Sequence, residues 1–166
     1  MKCKIVKLTK LSGKKASVYS IMLNDEHETL LDKFIRENIS SFKGETKDIL
    51  MRLHTIGHVT GARIDFFKQH EGISGDGVCA LYDAADSNLR LYCIKYGTQI
   101  VVIGNGGPKP KSIRTLQQDE KLSDANYFLR WLSEQITQRI RTRDIEYTND
   151  YLDFSGNLEF QDDETE

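Results

Sequence analysis

The chain has 166 residues, of which 39% are hydrophobic and 29% are charged, and these values predict one globular domain. No apolar run approaches the ~20 residues of a membrane-spanning helix, and no apolar core follows the basic N-terminus as it would in a signal peptide. The three cysteines are odd in number and lack metal-type spacing, which predicts free thiols and a cytoplasmic protein.

The net charge of −2 conceals an uneven distribution of charge along the chain. Residues 144–166 hold nine acidic side chains and no Lys or Arg, whereas residues 1–143 hold 16 acids and 23 bases, a balance of +7. A basic body predicts a polyanionic partner such as nucleic acid, and the alternative is an ordinary solvated surface. We therefore predict a single α+β domain at 1–143 followed by an acidic arm or tail at 144–166.

The N-terminal part of the chain predicts two strands and a helix. Alternating basic and apolar residues predict an edge strand over 2–8, and β-branched and aromatic residues predict a second strand over 16–23. An N-cap at Asn24 or Asp25, followed by an apolar stripe that starts at Leu30, predicts the first helix.

The rest of the domain is predicted to contain two further helices and three strands. A second helix is predicted over 45–58, a third strand over 78–82, and a hairpin of two strands over 89–94 and 100–103. A long helix with its N-cap at Ser123 or Asp124 follows, because apolar residues recur at helical spacing from Phe128 to Ile140. Two helices ahead of an antiparallel meander predict an α+β sheet with its helices on one side, with extra N-terminal strands and a long C-terminal helix.

The hairpin carries a concentration of basic residues. From residue 87 to residue 118 there is no acidic side chain, and five are basic: Arg90, Lys95, Lys109, Lys111 and Arg114. Arginine can bind a phosphate through two hydrogen bonds, and lysine can neutralise a neighbouring one. Three tyrosines offer rings on which unpaired bases can stack: Tyr82, Tyr92 and Tyr96. The alternative is that the tyrosines are half-buried sheet residues and the bases solvate an edge.

The same groups suit the cleavage of RNA, which needs a base, an acid and charge that stabilises the phosphorane. We expect Arg90 and Lys109 to supply charge, with Tyr92 or Lys95 as the proton-transfer group, and no cofactor is required. The residues expected to bind RNA are Arg90, Lys109, Lys111, Arg114 and Tyr96.

Two other motifs give weaker indications. His54 and His58 have the spacing of two metal ligands on a helix, but they lack the intervening Glu of a zinc hydrolase and a third ligand nearby. The segment GNGGPKPKS at 104–112 is glycine-rich, which predicts a bend after the hairpin, but it lacks the spacing of a nucleotide-binding loop.

The sequence order LRLY at 89–92, IVVIG at 100–104 and GGPK at 106–109 resembles the RelE/ParE/HigB superfamily of bacterial toxins. The resemblance implies a small α+β fold whose ribonuclease members cut mRNA on the ribosome, using basic residues on the concave face of the sheet. By this match Arg90 takes the place of the family's strand arginine, and Lys109, with Lys111 close behind, that of the basic residue after the last strand. The resemblance also implies a cognate antitoxin as the protein partner.

The chain departs from this superfamily in length, in the absence of histidine from the meander and in lacking the family's terminal tyrosine. We therefore predict a toxin-like endoribonuclease and keep a non-catalytic protein of the same fold as the alternative: a gyrase-type toxin, a phage-related regulator or an RNA-binding module. The acidic tail either folds back over the basic residues as a phosphate mimic or remains a disordered solubilising segment.

Overall fold

The computed structural model describes residues 1–68, 76–81, 84–110 and 116–162. Within these ranges the elements in chain order are β1 (Lys2–Lys7), β2 (Ser17–Leu23), α1 (Leu30–Asn38), α2 (Lys43–Thr55), a π-helical turn (Ile56–Thr60), a 3₁₀ turn (Ile64–Phe66), β3 (Phe67–Lys68), β4 (Val78–Leu81), β5 (Leu89–Tyr96), β6 (Ile100–Pro108), α3 (Leu116–Thr142), β7 (Ile145–Tyr147), β8 (Phe154–Gly156) and β9 (Glu159–Gln161). The fold is mixed α+β.

Seven strands form one sheet in the order β3-β4-β5-β6-β2-β1-β9. The hairpin β5–β6 lies in its interior, and β2 pairs with β6 in parallel, with Ser17 opposite Ile100 and Ser20 opposite Ile103. The remaining pairs of this sheet are antiparallel. The prediction that β1 is an edge strand is wrong, because β9 pairs with its outer side.

The helices cover both faces of the sheet, so the prediction of a one-sided layer is wrong. Residues of β6 alternate between two separate apolar clusters: Ile100 and Val102 pack with α3, whereas Val101 and Ile103 pack with α1 and α2. A strand buried on both faces has no polar side to alternate with, which explains its continuous apolar sequence. The described helices include none that has the length and apolarity to cross a bilayer.

The first helix begins later than the sequence indicated. Its N-cap is Thr29, whose side chain accepts from the backbone N–H of Asp32, while the Asp32 carboxylate accepts from the Thr29 N–H. This reciprocal capping satisfies two donors that a helix N-terminus leaves unpaired. Asn24, one of the predicted caps, instead accepts a hydrogen bond from the Lys2 N–H at the open end of the β1–β2 hairpin.

The glycine-rich segment after the hairpin is a strand and not the predicted bend. β6 continues through Pro108, with Arg90 opposite Gly107 and Leu91 opposite Gly106, and the register shifts between Leu91 and Cys93. A Cβ atom on Gly106 would overlap the carbonyl oxygen of Arg90. Close approach of two backbones accounts for this glycine without a phosphate ligand.

The acidic segment is built into the fold as far as residue 162. β7 and β8 form a hairpin, and β9 adds to the β1 edge of the sheet. Arg139 of α3 donates to the carbonyl oxygens of Asn157 and Glu159 and lies 4.1 Å from the centre of the Phe160 ring. β9 therefore lies at the edge of the sheet opposite to β3, with β6, β2 and β1 between it and β5. The β7–β8 hairpin packs instead on the α3 face of the sheet, where Phe154 contacts Tyr96 of β5.

Candidate nucleic-acid interface

A cleft of about 860 Å³ lies between the β3–β5 end of the sheet and the N-terminal half of α3. The turn at 84–87 closes one side. The described residues that line it are Lys68, Ala84, Ala85, Asp86, Ser87, Arg90, Tyr92, Lys109, Pro110, Leu122, Ser123, Asn126, Tyr127 and Arg130. Among these described residues four side chains are basic and one is acidic, a balance that favours an anion over a cation.

Arg90 reaches the cleft because of its position in β5. It shares a strand face with Tyr92, which packs in the α3 cluster, while Leu91 between them packs in the other cluster. Its partner in β6 is Gly107, which contributes no side chain. Arg90 is half-buried at the wall of the cleft, where reduced access of water strengthens charge interactions.

Lys109 holds the turn that closes the cleft. Its Nζ donates to the carbonyl oxygen of Ala84 at 2.7 Å and to the Ser87 hydroxyl at 2.8 Å, and its backbone N–H donates to Asn88 at 2.8 Å. Lys109 therefore fixes one wall of the cleft.

Two basic residues of the cleft were not identified from the sequence. Lys68 lies in the two-residue edge strand β3, which no local pattern predicts, and Arg130 lies on α3. A helical signal for Arg130 was present, because Ser123, Asn126, Tyr127 and Arg130 recur at spacings of three and four residues and all line the cleft. That polar stripe lies beside the apolar stripe of α3, which includes Leu129, Leu132 and Ile136.

Lys95 lies outside the cleft. It falls on the opposite face of β5 from Arg90, where its Nζ donates to the carbonyl oxygen of Gly97 at 2.7 Å and lies 5.9 Å from the centre of the Phe67 ring. This position separates it from the phosphate groups that Arg90 could bind.

Tyr96 also lies outside the cleft, within the α3 core. Its ring packs edge-on against Phe154 with 5.2 Å between centroids, and burial raises the pKa of its hydroxyl well above the usual range. Tyr92 lines the cleft but is only 4% exposed, so its ring face is covered. Neither ring is placed to stack on a base.

Three residues named from the sequence, Tyr82, Lys111 and Arg114, lie outside the described residues. The two weaker motifs are found elsewhere in the fold. His54 and His58 stack with 4.1 Å between ring centroids, and a ring nitrogen of His58 lies 3.3 Å from the carbonyl oxygen of Lys10. The described residues contain no group of three or more His, Cys, Asp or Glu side chains that could hold a metal ion.

Comparisons with protein-family models, with curated proteins and with solved structures find no match to this chain. The functional conclusion therefore depends on what the cleft can do chemically. Its residues offer charge for phosphate oxygens, the largely buried Tyr92 side chain at its wall, and amide and hydroxyl groups on α3 for a further polar contact.

Proposed function

We propose that this protein binds RNA in the basic cleft and cleaves it as a toxin-like endoribonuclease. The observation that supports the proposal is the convergence of Lys68, Arg90, Lys109 and Arg130 on one cleft. Such a group of cations matches a phosphodiester backbone, which carries one negative charge per nucleotide. A messenger RNA target places the protein in the cytoplasm, and a cognate antitoxin is the protein partner that a toxin would need.

The cleavage we propose is a transesterification that needs no cofactor. The 2′-oxygen of one nucleotide forms a bond to the adjacent phosphorus, and the bond from phosphorus to the 5′-oxygen breaks. The 2′-hydroxyl loses its proton to water, and the Tyr92 hydroxyl donates a proton to the leaving oxygen and regains one from water. Arg90 donates two hydrogen bonds to the phosphoryl oxygens, where negative charge increases in the transition state.

A non-catalytic RNA-binding protein of the same fold is the second candidate, and one observation favours it. Lys95 and Tyr96, both predicted for the site, lie outside the cleft, and its described lining contains no histidine. Fewer groups are therefore available for proton transfer than in the original prediction. In this version the same four cations hold RNA without breaking it.

Cleavage is tested by incubating the purified chain with end-labelled single-stranded RNA, without added metal and with chelator present. We expect fragments that end in a 2′,3′-cyclic phosphate and begin with a 5′-hydroxyl, and we expect no cleavage where a single 2′-deoxy nucleotide occupies the cut site. Arg90→Ala should slow cleavage by about 100-fold or more, the usual effect of removing one oxyanion donor. Arg141→Ala, which removes the same charge from an exposed position on α3 outside the cleft, is the matched control.

Intact RNA with the wild-type chain, together with binding that depends on Arg90, would select the non-catalytic candidate. Growth on induced expression separates the remaining functions. A ribonuclease toxin should arrest growth and shorten transcripts, a gyrase-type toxin should induce a DNA damage response, and Arg90→Ala should abolish the arrest caused by the ribonuclease.

A further inference from the structure

We infer that Tyr127, together with Arg130, forms a platform on which one unpaired RNA base stacks at the mouth of the cleft. The inference rests on the proposed function and specifies its substrate: a single strand with an accessible base next to the phosphate held by the cleft. No part of the hairpin supplies such a ring, because Tyr92 and Tyr96 are enclosed by the α3 core.

The first observation is the exposure of Tyr127. Its side chain is 63% exposed although it lines the cleft, whereas Tyr92 on the opposite wall is 4% exposed. Single exposed aromatic rings are common on protein surfaces, so the exposure of Tyr127 is informative only because this ring also lines the cleft. A ring at the rim of a cationic cleft has both an open face and a neighbouring site for phosphate.

The second observation is a cation–π contact between Arg130 and the Tyr127 ring. Arg130 lies one turn further along α3, and its guanidinium carbon is 5.3 Å from the centre of the Tyr127 ring. This contact restricts the ring and adds a planar cation, which itself stacks on bases. Asn126 and Ser123, on the same stripe of α3, line the cleft nearby and offer donors and acceptors to the edge of a base.

The geometry selects for unpaired RNA. A base inside a duplex is stacked on both faces by its neighbours, so the platform could receive it only after unstacking, which costs a few kcal/mol. A base in a single strand has a face available. Phosphate contacts in the cleft give no information on whether a base is unpaired, so the ring is the part of the site that selects a single strand.

The test measures binding of fluorescein-labelled single-stranded RNA by anisotropy, using the full chain and variants. Tyr127→Ala should weaken binding by roughly 5- to 150-fold, the range for losing one stacked base, while Tyr127→Phe keeps the ring and should stay within about twofold. Tyr151→Ala is the matched control, because Tyr151 is 60% exposed in the arm and does not line the cleft. It should bind as the wild type does.

Inorganic polyphosphate, which has backbone charge and no bases, provides the decisive second probe. We expect Tyr127→Ala to bind it as tightly as the wild type, whereas Arg90→Ala should weaken both RNA and polyphosphate. Unchanged RNA binding by Tyr127→Ala, with a clear loss for Arg90→Ala, would overturn the platform and leave the proposed function intact. An equal loss of Tyr127→Ala affinity for RNA and polyphosphate would also overturn it, since stacking requires a base.

Discussion

The Glu45 carboxylate of α2 accepts hydrogen bonds from both the backbone and the side chain of Asn88. The Asn88 N–H lies 3.0 and 3.1 Å from the two carboxylate oxygens, its Nδ2 lies 3.2 Å from Oε2, and the Leu89 N–H donates to Oε1 at 2.8 Å. Lys109 holds the preceding residues of the same turn from the cleft side. The start of β5, one residue before Arg90, is thus fixed by an anion and a cation.

Replacing Glu45 should loosen this turn and displace Arg90. Because Glu45→Ala leaves the Asn88 and Leu89 amides without their partner, we expect unfolding free energy in urea to fall by about 1.5–3 kcal/mol. Asp48→Ala is the control, since it removes the same charge from the same helix and breaks only the surface pair with Arg52. RNA affinity should fall for Glu45→Ala and not for Asp48→Ala. Equal behaviour of the two variants in both assays would contradict this role for Glu45.

The close approach of β5 and β6 gives a second prediction. Gly106→Ala should destabilise the chain by about 1–3 kcal/mol, because its Cβ would overlap backbone atoms of Arg90 that cannot move without breaking the ladder. Gly107→Ala should be tolerated, since the nearest atoms to its Cβ belong to the flexible Lys121 side chain at 3.4 Å. Urea denaturation of both variants provides the measurement. The prediction fails where Gly107→Ala is the more destabilised of the two.

Local sequence patterns predicted most elements of the fold and only part of the cleft. The alternation of Leu89, Leu91 and Cys93 and the apolar run that begins at Ile100 define the hairpin, because burial imposes those patterns within one strand. The face that α3 covers depends on contacts distant in sequence. For that reason the sequence did not show that Tyr92 is enclosed or that Arg130 lines the same cleft as Arg90.

Tyr19 of β2 makes two hydrogen bonds to the acidic arm. The Tyr19 hydroxyl donates to Asp153 Oδ1 at 3.1 Å and accepts from the Phe154 N–H at 3.1 Å. The Asp153 carboxylate also accepts a hydrogen bond from the Ser17 hydroxyl and forms an ion pair with Lys7. We expect Tyr19→Phe to lower the unfolding free energy by about 1–3 kcal/mol, because a buried N–H loses its acceptor.

Tyr151→Phe serves as the control for this variant, because Tyr151 lies in the same arm at 60% exposure. It should change stability by less than about 0.5 kcal/mol. Both are measured by urea denaturation with hydrogen exchange at the Phe154 amide. Protection of that amide in Tyr19→Phe at the wild-type level would contradict the contact.

Stability should decline at alkaline pH through Cys3. Burial raises the pKa of its thiol from 9.0 to about 11, although Arg139 and the N-terminal amine partly oppose the shift. The folded state therefore holds the proton more tightly than the unfolded state. This contribution is complete below pH 9 and is lost as the pH rises from about 9 to about 11.

The measurement is the unfolding free energy in urea at several pH values from 8 to 10.5, for the wild type and for Cys3→Ala. Cys3→Ala also loses stability because its side chain is smaller, but that loss does not change with pH. The two proteins are therefore compared by the slope of unfolding free energy against pH. The wild type should lose stability more steeply than Cys3→Ala above pH 9. Parallel curves would show that the thiol does not titrate differently in the two states.

The salt dependence of RNA binding tests the central claim most directly, because it counts phosphate contacts. Between about 50 and 200 mM salt, log affinity for a single strand should fall linearly, with a slope of roughly −0.7 per neutralised phosphate. Arg90→Ala should lose affinity and make the slope shallower by about 0.7, and Arg141→Ala should retain the wild-type slope. Equal slopes and affinities for the wild type and Arg90→Ala, or no RNA binding at the lowest salt, would contradict an RNA-binding role for this cleft.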